Sequence, residues 1–70
     1  MEPYQELANA IVALAAMDYV HILRLLKHHP ENKTIQLKAR EYESFFHSGW
    51  YSMLTDVDPV YLIRELKKTV

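Results

Sequence analysis

The chain has 70 residues, a formal net charge of −1 and no cysteine. We expect a single domain, 1–70, with a small core, because a chain of this size buries only about 60% of the surface that its unfolded form exposes. The missing cysteines exclude disulfides and thiolate metal sites, and a net charge near zero gives no general attraction to nucleic acid. Half of the residues are apolar and only one is glycine, which argues against a β-rich or disordered chain.

The first predicted helix runs from about residue 3 to residue 28. Pro3 suits a first helical turn, and Pro30 stops the helix. Apolar residues lie on most of its sides, and such a helix is normally buried on most sides. Since 70 residues cannot cover a rod of about 38 Å, we expect a homo-oligomer. Its predicted interface on this helix comprises Leu7, Ile11, Val12, Leu14, Ala16 and Leu23.

Asp18 falls in the middle of the main apolar stripe, between Leu14 and Ile22. A buried carboxylate is unfavourable unless it is paired. One interpretation gives it a partner inside the fold, namely Arg40, Arg64, Trp50 or a tyrosine hydroxyl. The other makes it a polar group of a ligand pocket. A third possibility is that the apolar stripe has been assigned to the wrong side of the helix.

The beginning of the chain predicts no export signal and no membrane span. Glu2 follows Met1 where a signal peptide carries basic residues. The apolar run 7–17 is shorter than the ~20 residues of a transmembrane helix. We therefore expect a cytoplasmic protein that makes no membrane contact.

Three further helices follow in the prediction, at about 32–47, 49–55 and 59–68. Asn32, Ser48 and Asp58 are good N-cap residues, and the last is followed by a proline. Gly49 is expected to end or bend the second helix. The short connection after the first helix predicts that the first two helices are antiparallel neighbours. The fold class is therefore all-α, a bundle of three to four helices.

No pattern typical of catalysis or metal binding is present. Asp56 and Asp58 form a D-x-D without the further oxygen ligands that Mg²⁺ or Ca²⁺ needs. The four histidines lack zinc spacing, and Ser48 beside His47 lacks the strand and the G-x-S-x-G turn of a hydrolase. We predict a protein that is not an enzyme and that has no metal and no cofactor.

Aromatic residues interleave with cations in the second half of the chain, as in sites that stack bases and hold phosphates. Most of these rings are expected in the core, with Tyr51 and Tyr61 partly exposed. If the ligand is a nucleotide, arginines meet phosphate, rings stack, and a carboxylate accepts from a base or ribose hydroxyl. The predicted ligand residues are Asp18, Arg40, Trp50, Tyr51, Tyr61 and Arg64.

The segment 45–66, FFHSGWYSMLTDVDPVYLIREL, resembles small all-helical proteins of Gram-positive phages, prophages and mobile elements. Those proteins carry F-F-x-S-x-W-[FY]-x-x-L-T-D-V-D followed by Y-L-I, and 16–33 is similar to their preceding part. Pro59 departs from the glycine expected there. The matching residues are Phe45, Phe46, Ser48, Trp50, Tyr51, Leu54, Thr55, Asp56, Val57, Asp58, Tyr61, Leu62 and Ile63.

The resemblance implies a phage or mobile-element origin and carries over no catalytic residue. It implies an accessory protein, for instance an anti-defence factor that binds a host protein or sequesters a small nucleotide signal in a homo-oligomer. A helical nucleic-acid-binding regulator is the first alternative, disfavoured because the third helix lacks Arg, Lys, Asn and Gln. A structural or assembly protein without a ligand is the second.

Overall fold

The computed structural model describes residues 2–70, and these form four helices joined by short connections. They are α1, Pro3–His28; α2, Lys33–Phe46; α3, Gly49–Leu54; and α4, Pro59–Lys68. The predicted all-α bundle is confirmed, and each predicted helix boundary lies within one residue of the observed one.

Three of the helices begin at the predicted capping residues. The Asn32 side chain accepts a hydrogen bond from the backbone N–H of Ile35 at 3.0 Å. Ser48 Oγ accepts one from the N–H of Tyr51 at 3.1 Å, and Asp58 accepts one from the backbone two residues on at 3.0 Å. Each oxygen satisfies an N–H group that has no acceptor inside its own helix, so the caps fix where the helices start.

Gly49 does not have the role that the sequence predicts. The second helix ends at Phe46 with His47 as its C-cap, and Gly49 is the first residue of α3. Its φ is not positive, and neither is that of any other residue in 2–70. A glycine is therefore not required here by the backbone conformation.

α1 is the element against which the others pack. It contacts α2, α3 and α4, and its 26 residues span about 39 Å of a molecule that measures 42 × 21 × 18 Å. The centre of the core consists of the fully buried rings of Tyr19, Phe46 and Tyr51. Phe46 meets the other two edge to face, with centroids 5.5 and 5.7 Å apart, an arrangement that aromatic pairs favour.

One side of α1 remains uncovered by the rest of the chain. Tyr4, Leu7, Leu14 and Met17 are each at least 60% exposed. The chain exposes 5092 Å² in total, whereas a monomer of 8.3 kDa is expected to expose about 4600 Å². The prediction that α1 is buried on most sides is therefore not met within one copy of the chain.

α1 is also long and apolar enough to cross a membrane, judged by length and composition alone. An 18-residue window reaches a mean hydropathy of 1.4, and only 11% of that window is buried within the chain. This corrects the expectation that the apolar segment is too short. A core helix or an N-terminal signal sequence has the same properties, so they do not by themselves assign α1 to a membrane.

Candidate binding site

An open groove of about 440 Å³ runs between α1 and α2. Its floor is apolar and aromatic, and its rim carries one cationic and two anionic side chains. The residues that line it are Ile11, Ala15, Asp18, Ile22, Lys38, Glu41, Tyr42 and Phe45.

Asp18 lies in this groove and is exposed, so it is not a buried charge. The buried face of α1 contains Ala8, Tyr19 and Ile22, and Asp18 is turned to one side of it. The Tyr42 hydroxyl donates toward Asp18 Oδ2 at 3.4 Å, a long hydrogen bond. Burial and the nearby Asp18 carboxylate raise the pKa of the Tyr42 hydroxyl. The structure therefore gives Asp18 a tyrosine partner, one of the partners predicted, and places it in a groove.

The shortest polar contact between helices is one that the sequence does not reveal. The fully buried Tyr19 donates its hydroxyl to Glu43 Oε2 at 2.6 Å. Burial, followed by the hydrogen bond and charge of Glu43, raises the pKa of Tyr19. Lys67 Nζ lies 3.9 Å from the same oxygen as an exposed ion pair, which adds little. No sequence spacing relates Tyr19 to Glu43, because the two residues lie on different helices.

A second groove, also about 440 Å³, lies beside α2 and α4. Arg64, Lys67 and His47 line it together with the acidic Glu43. The Arg64 guanidinium carbon is 5.6 Å from the centroid of the Tyr61 ring, within the range of a cation–π contact. Tyr61 is half exposed, as predicted. Of these two predicted ligand residues, Arg64 lines the groove, whereas Tyr61 contacts Arg64 from outside the groove lining.

Tyr51 is the predicted ligand residue that the structure excludes from the surface. It is 1% exposed, and its hydroxyl donates to the carbonyl oxygen of Val57 at 3.0 Å. Its ring contacts Phe45 and Phe46 edge to face. The prediction of a partly exposed Tyr51 is wrong, because this ring occupies the side of α3 that closes the core.

The six predicted ligand residues do not converge on one pocket. Asp18 lies in the α1–α2 groove, Arg64 lines the groove beside α2 and α4, and Tyr61 lines neither groove but contacts Arg64 on α4. Arg40 is exposed on α2 and Trp50 is 53% exposed on α3. Within the described residues, neither of these two side chains lines either groove.

The predicted interface residues also divide into groups. Leu7 and Leu14 are exposed, and Ile11 lines the α1–α2 groove. Val12 and Leu23, by contrast, pack against the core cluster of the chain itself. This corrects the prediction for these two residues. They lie seven residues before and four residues after Tyr19, spacings that place all three on one face of a helix. The sixth residue, Ala16, lines a small groove between α1 and α4.

A separate apolar patch consists of Trp50, Met53 and Val57. Each of the three side chains is between 44% and 69% exposed. Trp50 and Met53 are one turn apart on α3, and Met53 and Val57 line a common groove that also includes Gln5 of α1. Tryptophan and methionine are enriched in protein–protein interfaces. The patch is therefore a candidate surface for a protein partner.

Within residues 2–70, no three histidine, aspartate or glutamate side chains cluster as a metal site would require. Comparisons with family models, curated proteins and solved structures give no match to this chain. The function is therefore inferred from the grooves and the exposed apolar surfaces described above.

Proposed function

We propose that this chain is a non-enzymatic accessory protein of a phage or mobile element. It acts in the bacterial cytoplasm as a homo-oligomer and counters or adjusts a host process, such as defence, by binding a host protein. The observation that carries the proposal is the exposure of large apolar side chains on two separate faces, the side of α1 and the Trp50–Met53–Val57 patch. Contiguous apolar surface of this kind is typical of sites where proteins associate.

The two faces have different roles in this proposal. The side of α1 is long, regular and mostly apolar, which suits contact with another copy of the same helix. The α3 patch is short and contains the only tryptophan, the residue type most enriched at energetically dominant interface positions. We assign the host protein to the α3 patch and the oligomer contact to α1.

A second candidate function is supported by the groove beside α2 and α4. A nucleotide could place its phosphates near Arg64 and Lys67 in the groove and stack its base on the exposed Tyr61 ring, which contacts Arg64 outside the groove lining. The groove is open, however, and the Glu43 carboxylate that lines it repels phosphate. The four remaining predicted ligand residues lie elsewhere or are buried, so protein binding is the preferred proposal.

Capture from host lysate with matched variants tests the protein-binding role. Tagged wild type, Trp50→Ser and Leu37→Ser would be compared by quantitative mass spectrometry. Leu37 is a suitable control because it is equally exposed, at 56%, but lies on α2 away from the patch. We expect wild type and Leu37→Ser to retain one host protein that Trp50→Ser does not retain. The same host protein, once purified, should bind the wild-type chain directly. Equal retention by all three proteins would refute the assignment of the patch.

Native mass spectrometry of the protein purified from bacteria tests the nucleotide alternative. A nucleotide-sized adduct that disappears in folded Arg64→Ala would favour sequestration over protein binding. A bare protein that also captures no host partner would instead support a structural role without a ligand.

A further inference from the structure

The uncovered side of α1 carries a regular stripe of side chains. Successive members are separated alternately by three and four residues, the spacing by which helices pair along a seam. All of them are exposed or half-buried, and two of them also line the α1–α2 groove. We call this set the α1 seam; it consists of Tyr4, Leu7, Ile11, Leu14, Asp18 and His21.

We propose that a second copy of the chain covers the α1 seam, with the two α1 helices antiparallel and related by a two-fold axis. Each α1 lies along the seam and the α1–α2 groove of its partner, so that four helices surround the contact. Ile11 packs against the partner's Leu14, and the same contact repeats across the axis. This inference specifies the homo-oligomer of the proposed function and does not depend on which host protein is bound.

The position of the Asp18 carboxylate along the seam favours the antiparallel arrangement. In a parallel pair, residues oppose their own copies, so two Asp18 carboxylates would meet inside the contact, which is unfavourable. In the antiparallel pair Asp18 lies opposite the partner's Leu7, away from the axis. It remains at the charged rim of the groove with Lys38 and Glu41. An apolar centre with a polar rim is the usual organisation of a protein interface.

The size of the surface is sufficient for a dimer of modest affinity. From Tyr4 to His21 the seam extends about 26 Å along α1, and with the groove it is about 20 Å wide, which gives a footprint of roughly 500 Å². Because side chains roughen this surface, its accessible area is larger and approaches the ~600 Å² per partner at the lower end of stable complexes. The excess surface of the single chain, about 500 Å² over a typical monomer, is of the same size.

A membrane is the other occupant that an apolar helix of this length could have. Against it, Asp18 lies close to the middle of α1, where a carboxylate in a bilayer is strongly unfavourable. The opposite side of α1 is held by α2, α3 and α4 and includes the Tyr19–Glu43 hydrogen bond. A spanning α1 would have to separate from these helices, whereas a dimer preserves them.

Disulfide trapping tests the orientation, because the chain has no cysteine of its own. Tyr4→Cys and His21→Cys alter exposed side chains, so both variants should fold. The antiparallel pair places position 4 opposite position 21 of the partner. An equimolar mixture should therefore give the mixed disulfide in several-fold excess over either homodisulfide. Leu37→Cys, exposed outside the seam, measures random collision. Predominance of the two homodisulfides, or trapping no faster than for Leu37→Cys, would overturn the proposal.

Light scattering with size-exclusion chromatography tests the association itself. Wild type and Leu37→Asp should be dimers by light scattering. Leu14→Asp should be a monomer that retains the helical circular dichroism spectrum of the wild type. A monomeric wild type, or wild type that sediments with phosphatidylcholine vesicles, would refute the seam as a contact between copies. In that case, capture of a host protein that depends on Trp50 would still support the proposed function. Conversely, failure to capture a host protein would not affect the disulfide-trapping result, so the proposed function and the α1 seam can be refuted separately.

Discussion

Tyr19 and Tyr42 form a natural pair for measuring what one inter-helix hydrogen bond contributes. Each tyrosine hydroxyl reaches a carboxylate 24 residues away on the neighbouring helix. The Tyr19 bond to Glu43 measures 2.6 Å and comes from a fully buried ring, whereas the Tyr42 bond to Asp18 measures 3.4 Å and is exposed. We predict that Tyr19→Phe destabilises the protein and that Tyr42→Phe has little effect.

The expected magnitude follows from burial. A hydrogen bond to a charged group contributes about 1.5–3 kcal/mol. The Glu43 side chain is 35% exposed, so water can replace part of the lost bond, and phenylalanine retains the buried ring. We therefore expect Tyr19→Phe to lower the free energy of unfolding by about 1.5 kcal/mol. For a domain of this size, that corresponds to a decrease in Tm of roughly 6–12 °C.

Thermal and urea unfolding followed by circular dichroism would measure both variants at neutral pH. All samples should have one protein concentration, because association contributes to apparent stability. Tyr42→Phe should lose less than about 0.5 kcal/mol, since its bond is long and open to water. Equal losses in the two variants, or no loss in Tyr19→Phe, would show that the buried bond does not stabilise the fold as argued.

Three further predictions concern a glycine, a helix cap and alkaline pH. Gly49→Ala should leave stability unchanged or raise it by about 0.4–1 kcal/mol in urea unfolding, because its φ is not positive and an added Cβ meets no described atom within 4 Å. Asn32→Ala should lower the free energy of unfolding by about 1 kcal/mol, and Asn32→Asp should retain most of it, because both oxygens can cap α2. The folded protein raises the pKa of Tyr19, Tyr42 and Tyr51 above 10.0, so it favours the protonated form. The stability that these raised pKa values contribute is fully present below about pH 10 and is lost as the pH rises further. A series of urea titrations from neutral to alkaline pH would measure this loss, and constant stability above pH 10 would contradict the shifts.

The candidate site was predictable only in part, and α1 shows why. Apolar composition on most sides of this helix does not reveal which side its own chain will cover. Leu14 and Val12 are equally apolar in the sequence, yet Leu14 is exposed and Val12 packs on the core. The choice between them depends on where α2 and α4 are placed, and no local signal contains that information. The same holds for Tyr51, whose burial depends on how α3 closes against Phe46.

The sequence by itself determined the helices and their boundaries, because capping is local. Asn32, Ser48 and Asp58 bond to backbone groups two or three residues away, and that short range can be read from the chain. Only the tertiary structure decided which residues meet across helices. It pairs Tyr19 with Glu43, places Asp18 in a groove rather than in the core, and separates Arg64 from Asp18. These outcomes depend on the packing of whole helices. A contact between residues 24 positions apart in the chain has no sequence period from which it could be predicted.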